Sequence, residues 1–159
     1  MLCYRLLLAE FDPLSAQGAI RKGGRFNSPG RALLYLATSE AIAILESRVH
    51  SRRLDHKPRL LHTIEVDDAE VSRPNDLGLV LPAGWDAIGP APVACQFGVA
   101  WFDSGASLAL LVPSVTALSR EGNLLVNTAH PRFSVAVRLH GGVPFQFDHR
   151  LFRRKPGER

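Results

Sequence analysis

The chain has 159 residues, 46% hydrophobic and 21% charged, with 19 Lys and Arg against 15 Asp and Glu for a formal charge of +4. A chain of this size forms one domain and buries about two-thirds of its unfolded surface, so it needs no metal or disulfide for stability. Two cysteines, Cys3 and Cys95, are too few for a disulfide scaffold or a structural zinc site. No apolar run reaches the length of a membrane span, and Leu6-Leu7-Leu8, followed by Glu10 and Asp12, is too short for a secretory signal. A reducing, cytoplasmic compartment is therefore expected. The basic residues are mostly Arg and scattered, with clusters only at Arg52–Arg53 and Arg153–Arg154–Lys155. That distribution fits a solvated basic surface, an anionic small ligand, an acidic partner or nucleic acid.

In chain order, residues 2–8 read as an apolar opening strand, and Asp12-Pro13 and Gly18 as a loop holding a short helical turn. The segment from Lys22 to Gly30 (KGGRFNSPG) is too rich in Gly, Pro and Asn for regular helix. Leu33–Leu36 is a short strand, and Thr38 or Ser39 caps a helix running to about Arg52, with Glu40 in its first turn. Residues 60–67 alternate with strand periodicity: Leu60, His62, Ile64 and Val66 on one side, Leu61, Thr63 and Glu65 on the other. Residues 73–90 are loop-rich. A helix over about Val93–Asp103 follows, and then short strands at 107–113, Leu124–Val126, Val135–Leu139 and Phe145–Phe147. The whole reads as one α+β domain spanning 1–159, with 150–159 as a flexible basic tail.

The main anomaly is Glu46. On a helical wheel Ile42, Leu45 and Val49 form an apolar stripe, and Glu46 falls on it. A carboxylate there is either paired with an Arg at the core edge, placed where the stripe reaches water, or held for chemistry. Arg25 lies among glycines that would let a backbone approach a ligand closely, and its guanidinium could clamp phosphates; the alternative is a turn with a solvated Arg. The segment is not a Walker loop, because it lacks the GK[ST] ending. Tyr35 is either a core-edge aromatic or a ring that stacks on a flat heterocycle. Ser114, in VPSV, is either a capping residue at a strand end or part of a site; G-x-S-x-G is absent. The six histidines show no metal-ligand spacing, so no metal is expected.

Taken in order, YRL near the start, KGGRFNSPGRALLYLATSEAIAILESRVH, GVAWFDSGASLALLVPSV, NLLVNTAHP and FQFDHRLF resemble the RES-domain toxins of RES–Xre toxin–antitoxin pairs over nearly the whole chain. The family Arg falls on Arg25, the Tyr on Tyr35, the Glu on Glu46 and the Ser on Ser114. Asn127 and His130 fall on the family's Asn-Pro-x-His-Pro stretch. Two departures stand out: Phe26 replaces the Trp usual after the Arg, and Thr128 replaces the Pro usual after the Asn.

The resemblance implies an ADP-ribosyltransferase-like fold with a mixed, mostly antiparallel sheet and flanking helices. It implies NAD as substrate, cleaved at the nicotinamide–ribose bond with phosphate, water or a protein as acceptor. It also implies an Xre-type antitoxin, carrying a DNA-binding helix-turn-helix, that covers the active site, and no direct contact of the toxin with nucleic acid or membrane. Within that reading Glu46 stabilises the cationic ribose, Arg25 binds the pyrophosphate, Tyr35 stacks on or shapes the nicotinamide pocket, and Ser114 orients the ribose or Glu46. Arg5, Lys22, Asn27 and Asn127 are further candidates for NAD contacts. The competing expectations are a non-catalytic basic binding protein and a ribonuclease-type growth inhibitor using His130 or His140.

Overall fold

A computed structural model describes residues 1–50, 57–116 and 121–152. The Arg52–Arg53 cluster, the expected helix end near Arg52 and the basic cluster at 153–155 lie outside the described residues. The core element is a seven-stranded sheet in the order β4-β5-β6-β2-β1-β3-β7. Its strands are β1 (Leu2–Leu8), β2 (Leu33–Ala37), β3 (Arg59–Val66), β4 (Val71–Ser72), β5 (Ala109–Pro113), β6 (Gly122–Asn127) and β7 (Val137–Phe145). Every pairing is antiparallel except β4 with β5. Among the described residues four α-helices accompany it: α1 (Gln17–Lys22), α2 (Glu40–His50), α3 (Pro92–Ser104) and α4 (Phe133–Ala136). The expected α+β class and mixed, mostly antiparallel sheet are observed.

Alternation along the strands gives the sheet two faces. Leu34, Leu36, Leu124, Val126, Ile64, Val66 and Cys3 pack together on one face, with Leu14 and Phe133 against them. Burial there pushes the Cys3 thiol up to about 11, so at neutral pH it is an inert apolar group. The opposite face carries two clusters. One gathers Phe26, Leu33, Leu110, Val112 and Leu125 under α3 residues Ala94 and Trp101. The other gathers Leu6, Ala37 and Leu61 with Ile42 and Ala43 of α2, and Phe147. β1 and β2 are registered only at Tyr4 and Ala37.

Three expectations are corrected. Leu45 and Val49 are 44% and 62% exposed; the buried side of α2 runs through Ile42 and Ala43, with Glu46 half-buried beside it. One strand, β7, takes in 137–139 and Phe145 of the strands expected at 135–139 and 145–147; residues 135–136 belong to the helical turn before it, and 146–147 lie beyond its end. Its glycines permit close approach rather than ending it: a Cβ on Gly142 would stand 2.6 Å from Nδ1 of His62. Gly141, at φ +123°, sits at a register shift that leaves His140 out of the pairing. Residues 150–152 do not belong to a free tail. His149–Phe152 is a short 3-10 turn in which the Phe152 ring packs edge-on to Phe147, 5.4 Å between centroids, and lies under the Arg48 guanidinium of α2. The carbonyl of Leu151 accepts from Nε and Nη2 of Arg48.

Candidate active site

The strand register brings the polar residues together. Tyr35 faces Leu125, and two residues further along each strand Ala37 faces Asn123. Asn123 is also registered with Val112, and Ser114 lies two residues beyond it. All therefore project from the face that α2 and α3 cover. Glu46 descends onto this end of β5 and β6 from α2. Its Oε1 accepts from Ser114 Oγ at 3.1 Å, Thr116 Oγ1 at 3.0 Å and Asn123 Nδ2 at 3.1 Å. Ser114 is 2% exposed, and its Oγ also accepts the Thr116 N–H. Among the described residues the inward, half-buried carboxylate is paired with no Arg; neutral donors hold its Oε1.

A second constellation carries Arg25. The turn from Gly24 to Asn27 is closed by the Gly24 N–H donating to the Asn27 carbonyl. Tyr35 supports it from below. Its hydroxyl accepts the Phe26 N–H at 3.1 Å and donates to Asn27 Oδ1 at 2.8 Å. Burial raises the Tyr35 phenol well above its ordinary range, although the Phe26 amide pulls the other way, so it stays protonated and keeps donating. Gly24 is required by this approach, because a Cβ there would stand 2.7 Å from the Tyr35 hydroxyl. The Phe26 ring is buried and stacks on Trp85 at 6.2 Å. Arg25 Nη1 donates to the carbonyls of Trp85 and Ala87. Two contacts through one nitrogen fix the side chain while leaving Nη2 and Nε for an anion.

Tyr35→Phe should strand the Phe26 N–H and Asn27 Oδ1, lowering stability by about 1–3 kcal/mol. Thermal unfolding reads this as a lower Tm.

Not every candidate joins these groups. Arg5 shares the opposite face with Cys3 and is registered with His62. Its Nη1 donates to the carbonyls of Pro13 and Ser15, so it clasps the loop after β1 on the face away from Glu46 and is not brought together with the other candidates. Asn27 is 1% exposed; it donates to Ala19 and Ser28 carbonyls and accepts from Tyr35, so it builds the turn rather than meeting a ligand. Asn127 is likewise buried, donating to the Phe102 carbonyl and accepting from Ala129. It ties the end of α3 to the following loop. Thr128 donates to the Ala32 carbonyl from both its N–H and its hydroxyl, bonds that the family's usual Pro could not make. His130 Nδ1 accepts from the Arg132 N–H. Lys22 is exposed at the end of α1. Sequence reasoning missed Thr116 and Asn123, whose relation to Glu46 exists only through the β5–β6 register. No group of three or more His, Cys, Asp or Glu among the described residues could hold a metal, and no helix among them is long and apolar enough to cross a membrane.

The comparisons with known proteins bear on this arrangement. The "Prs ADP-ribosylating toxin" of Sphingobium sp. (strain YBL2) is 45% identical over 91% of this chain and 90% of its own length. A "Toxin Res" of Yersinia enterocolitica is 34% identical over 95% of this chain and 99% of its own. The fold is similar to a chain in the crystal structure of the M. tuberculosis MbcT-MbcA toxin-antitoxin complex, with a TM-score of 0.71 and 24% identity over 91% of this chain and 84% of that one. The RES domain model matches residues 2–148, a span that holds both the Glu46 and the Arg25 constellations, and the chain belongs to the RES domain family.

Proposed function

We propose that the chain is the toxin of a type II toxin–antitoxin pair and consumes NAD in the cytoplasm by cleaving the nicotinamide–ribose bond. The observation that carries this is Glu46. Its half-buried carboxylate is oriented by three neutral donors, and among the described residues no cation pairs with it. A fixed negative charge in a partly desolvated site favours a developing positive charge nearby. In NAD the nicotinamide nitrogen is already cationic. When the C–N bond breaks, the electron pair leaves with a neutral nicotinamide and the ribose carbon becomes cationic. No general acid is required, unlike the carboxylate pair of a glycosidase.

Arg25 binds the pyrophosphate through Nη2 and Nε, the carbonyls of Trp85 and Ala87 holding it in position. Tyr35 supports the turn that presents Arg25, and its ring is what remains for shaping a nicotinamide pocket. Lys22 adds positive charge at the approach. The acceptor forms the new bond at the ribose carbon. The relative named for ADP-ribosylation supports a protein as that acceptor, and water or phosphate would attack the same carbon. The partner is an Xre-type antitoxin that covers the site. The toxin names of the relatives support this reading over a non-catalytic basic protein or a ribonuclease.

The test is to incubate purified protein with NAD, with and without phosphate and with and without a cell extract, and to follow nicotinamide and the ribosyl product by mass. Nicotinamide release with ADP-ribose appearing on a protein is the expected result. Release with water or phosphate alone moves the acceptor but keeps the bond cleavage. No release under any condition overturns the reading.

A further inference from the structure

The three donors on Glu46 are not equivalent. Besides bonding to Oε1, the hydroxyls of Ser114 and Thr116 lie 2.8 Å from each other. Two hydroxyl hydrogens therefore face three contacts: Ser114 to Glu46, Thr116 to Glu46, and Ser114 to Thr116. Only two can be made at once, because each hydroxyl carries one hydrogen. The pair can send both hydrogens to Glu46, or one to each other and one onward. An amide nitrogen has no such choice. Asn123 Nδ2 is donor-only, 3.1 Å from Oε1, and it stands on β6 in register with both Ala37 and Val112, between two paired strands. All three contacts fall on Oε1; among the described residues none is made to Oε2.

We infer that Asn123 is a positioning residue for the NAD reaction: it alone obligatorily holds Oε1 and so presents Oε2 to the ribose, while Ser114 and Thr116 form an exchangeable pair behind it. The inference rests on the NAD reading above. The amide acts through Glu46 and touches no substrate. Its loss therefore lets the carboxylate swing, and misplacement of a reacting group by about 1 Å costs roughly 100-fold. The hydroxyl pair is buffered, because either member still donates when the other is removed.

The experiment compares variants in steady-state nicotinamide release. Asn123→Ala should lower kcat by about 10- to 100-fold with KM for NAD within about twofold, since ground-state binding through Arg25 is untouched. Asn123→Asp, which keeps the shape and packing but sets a second carboxylate against Oε1, should fall at least as far. Thr116→Val should lower kcat only a few-fold (~3) because Ser114 still donates, and Thr116→Ser should restore most of that loss. A crystal structure of Asn123→Ala should show the Glu46 carboxylate turned from its present orientation. A folded Asn123→Ala with wild-type kcat overturns the inference while leaving NAD cleavage intact. So does a loss carried by KM, which would mean direct substrate contact, or a carboxylate that has not moved. Wild-type protein that releases no nicotinamide overturns the NAD reading and this inference with it.

Discussion

Glu46→Gln should lower nicotinamide release by about 100- to 1,000-fold, the usual cost of removing a preorganised electrostatic group, with the fold intact. The substitution is clean because of how the carboxylate is held. The amide oxygen of Gln can take the place of Oε1 and accept the same three hydrogen bonds from Ser114, Thr116 and Asn123. The neighbouring hydroxyls therefore keep their partner, and no buried donor is stranded. What changes is the other end of the group: an uncharged NH2, a donor, replaces Oε2. It can still sit near the ribose hydroxyls but can no longer oppose the positive charge on the ribose carbon. The loss should therefore fall on kcat, with KM for NAD nearly unchanged and the thermal midpoint within a few degrees of wild type. Growth arrest on expression should disappear with it. A Glu46→Gln protein that still cleaves NAD at the wild-type rate would remove the carboxylate from the mechanism, whatever the rest of the site does.

A carboxylate among Ile42, Leu45 and Val49 signals an inward acid, and the acid is inward. The stripe itself is rotated, because α2 lies over β1 and β2 with Ile42 and Ala43 against Leu6, Ala37 and Leu61, which turns Leu45 and Val49 to solvent. Wheel geometry states which residues share a side; it does not state which side the sheet takes. The opening strand is legible to the residue, because its apolar run is bounded by a turn. β7 is not, because its glycines read as breaks when one of them makes room for the His62 ring. Arg25 and Tyr35 stand ten residues apart in a stretch whose glycines announce a close approach. Their cooperation through the Phe26 amide is a tertiary fact with no local pattern. Thr116 and Asn123 were invisible for the same reason: a Thr after a strand and an Asn at the start of the next acquire meaning only when β5 and β6 pair at Val112 and Asn123. Arg5, Asn27 and Asn127 show the converse. Polar residues in suggestive positions prove to be satisfying backbone groups of their own chain.

Gly98→Ala is expected to destabilise the protein by about 3 kcal/mol, although at an ordinary helix position the same change stabilises by about 1 kcal/mol. The two effects oppose each other, and the geometry decides between them. Gly98 is buried in the middle of α3, and a Cβ there would stand 2.0 Å from the Phe26 carbonyl oxygen, 2.7 Å from the Phe26 Cβ and 2.8 Å from its carbonyl carbon. Two of those three atoms are backbone, so no rotamer change relieves the contact. Either the helix or the turn must move. The helix is pinned by Ala94 and Trp101, both buried in the cluster beneath it, and Trp101 Nε1 is anchored on Ser107 Oγ. The turn is the softer partner, yet it is what positions Arg25: displacing Phe26 strains its amide bond to the Tyr35 hydroxyl and its stacking on Trp85. The variant should therefore unfold several degrees lower, at about 2–4 °C per kcal/mol for a chain of this size. Its KM for NAD should also rise, while Gln96→Ala, on the exposed side of the same helix, should alter neither. An increase in Tm for Gly98→Ala would mean that helix propensity outweighs the contact and that the Phe26 turn can retreat at no cost, in which case the packing of α3 against that turn is not what fixes Arg25.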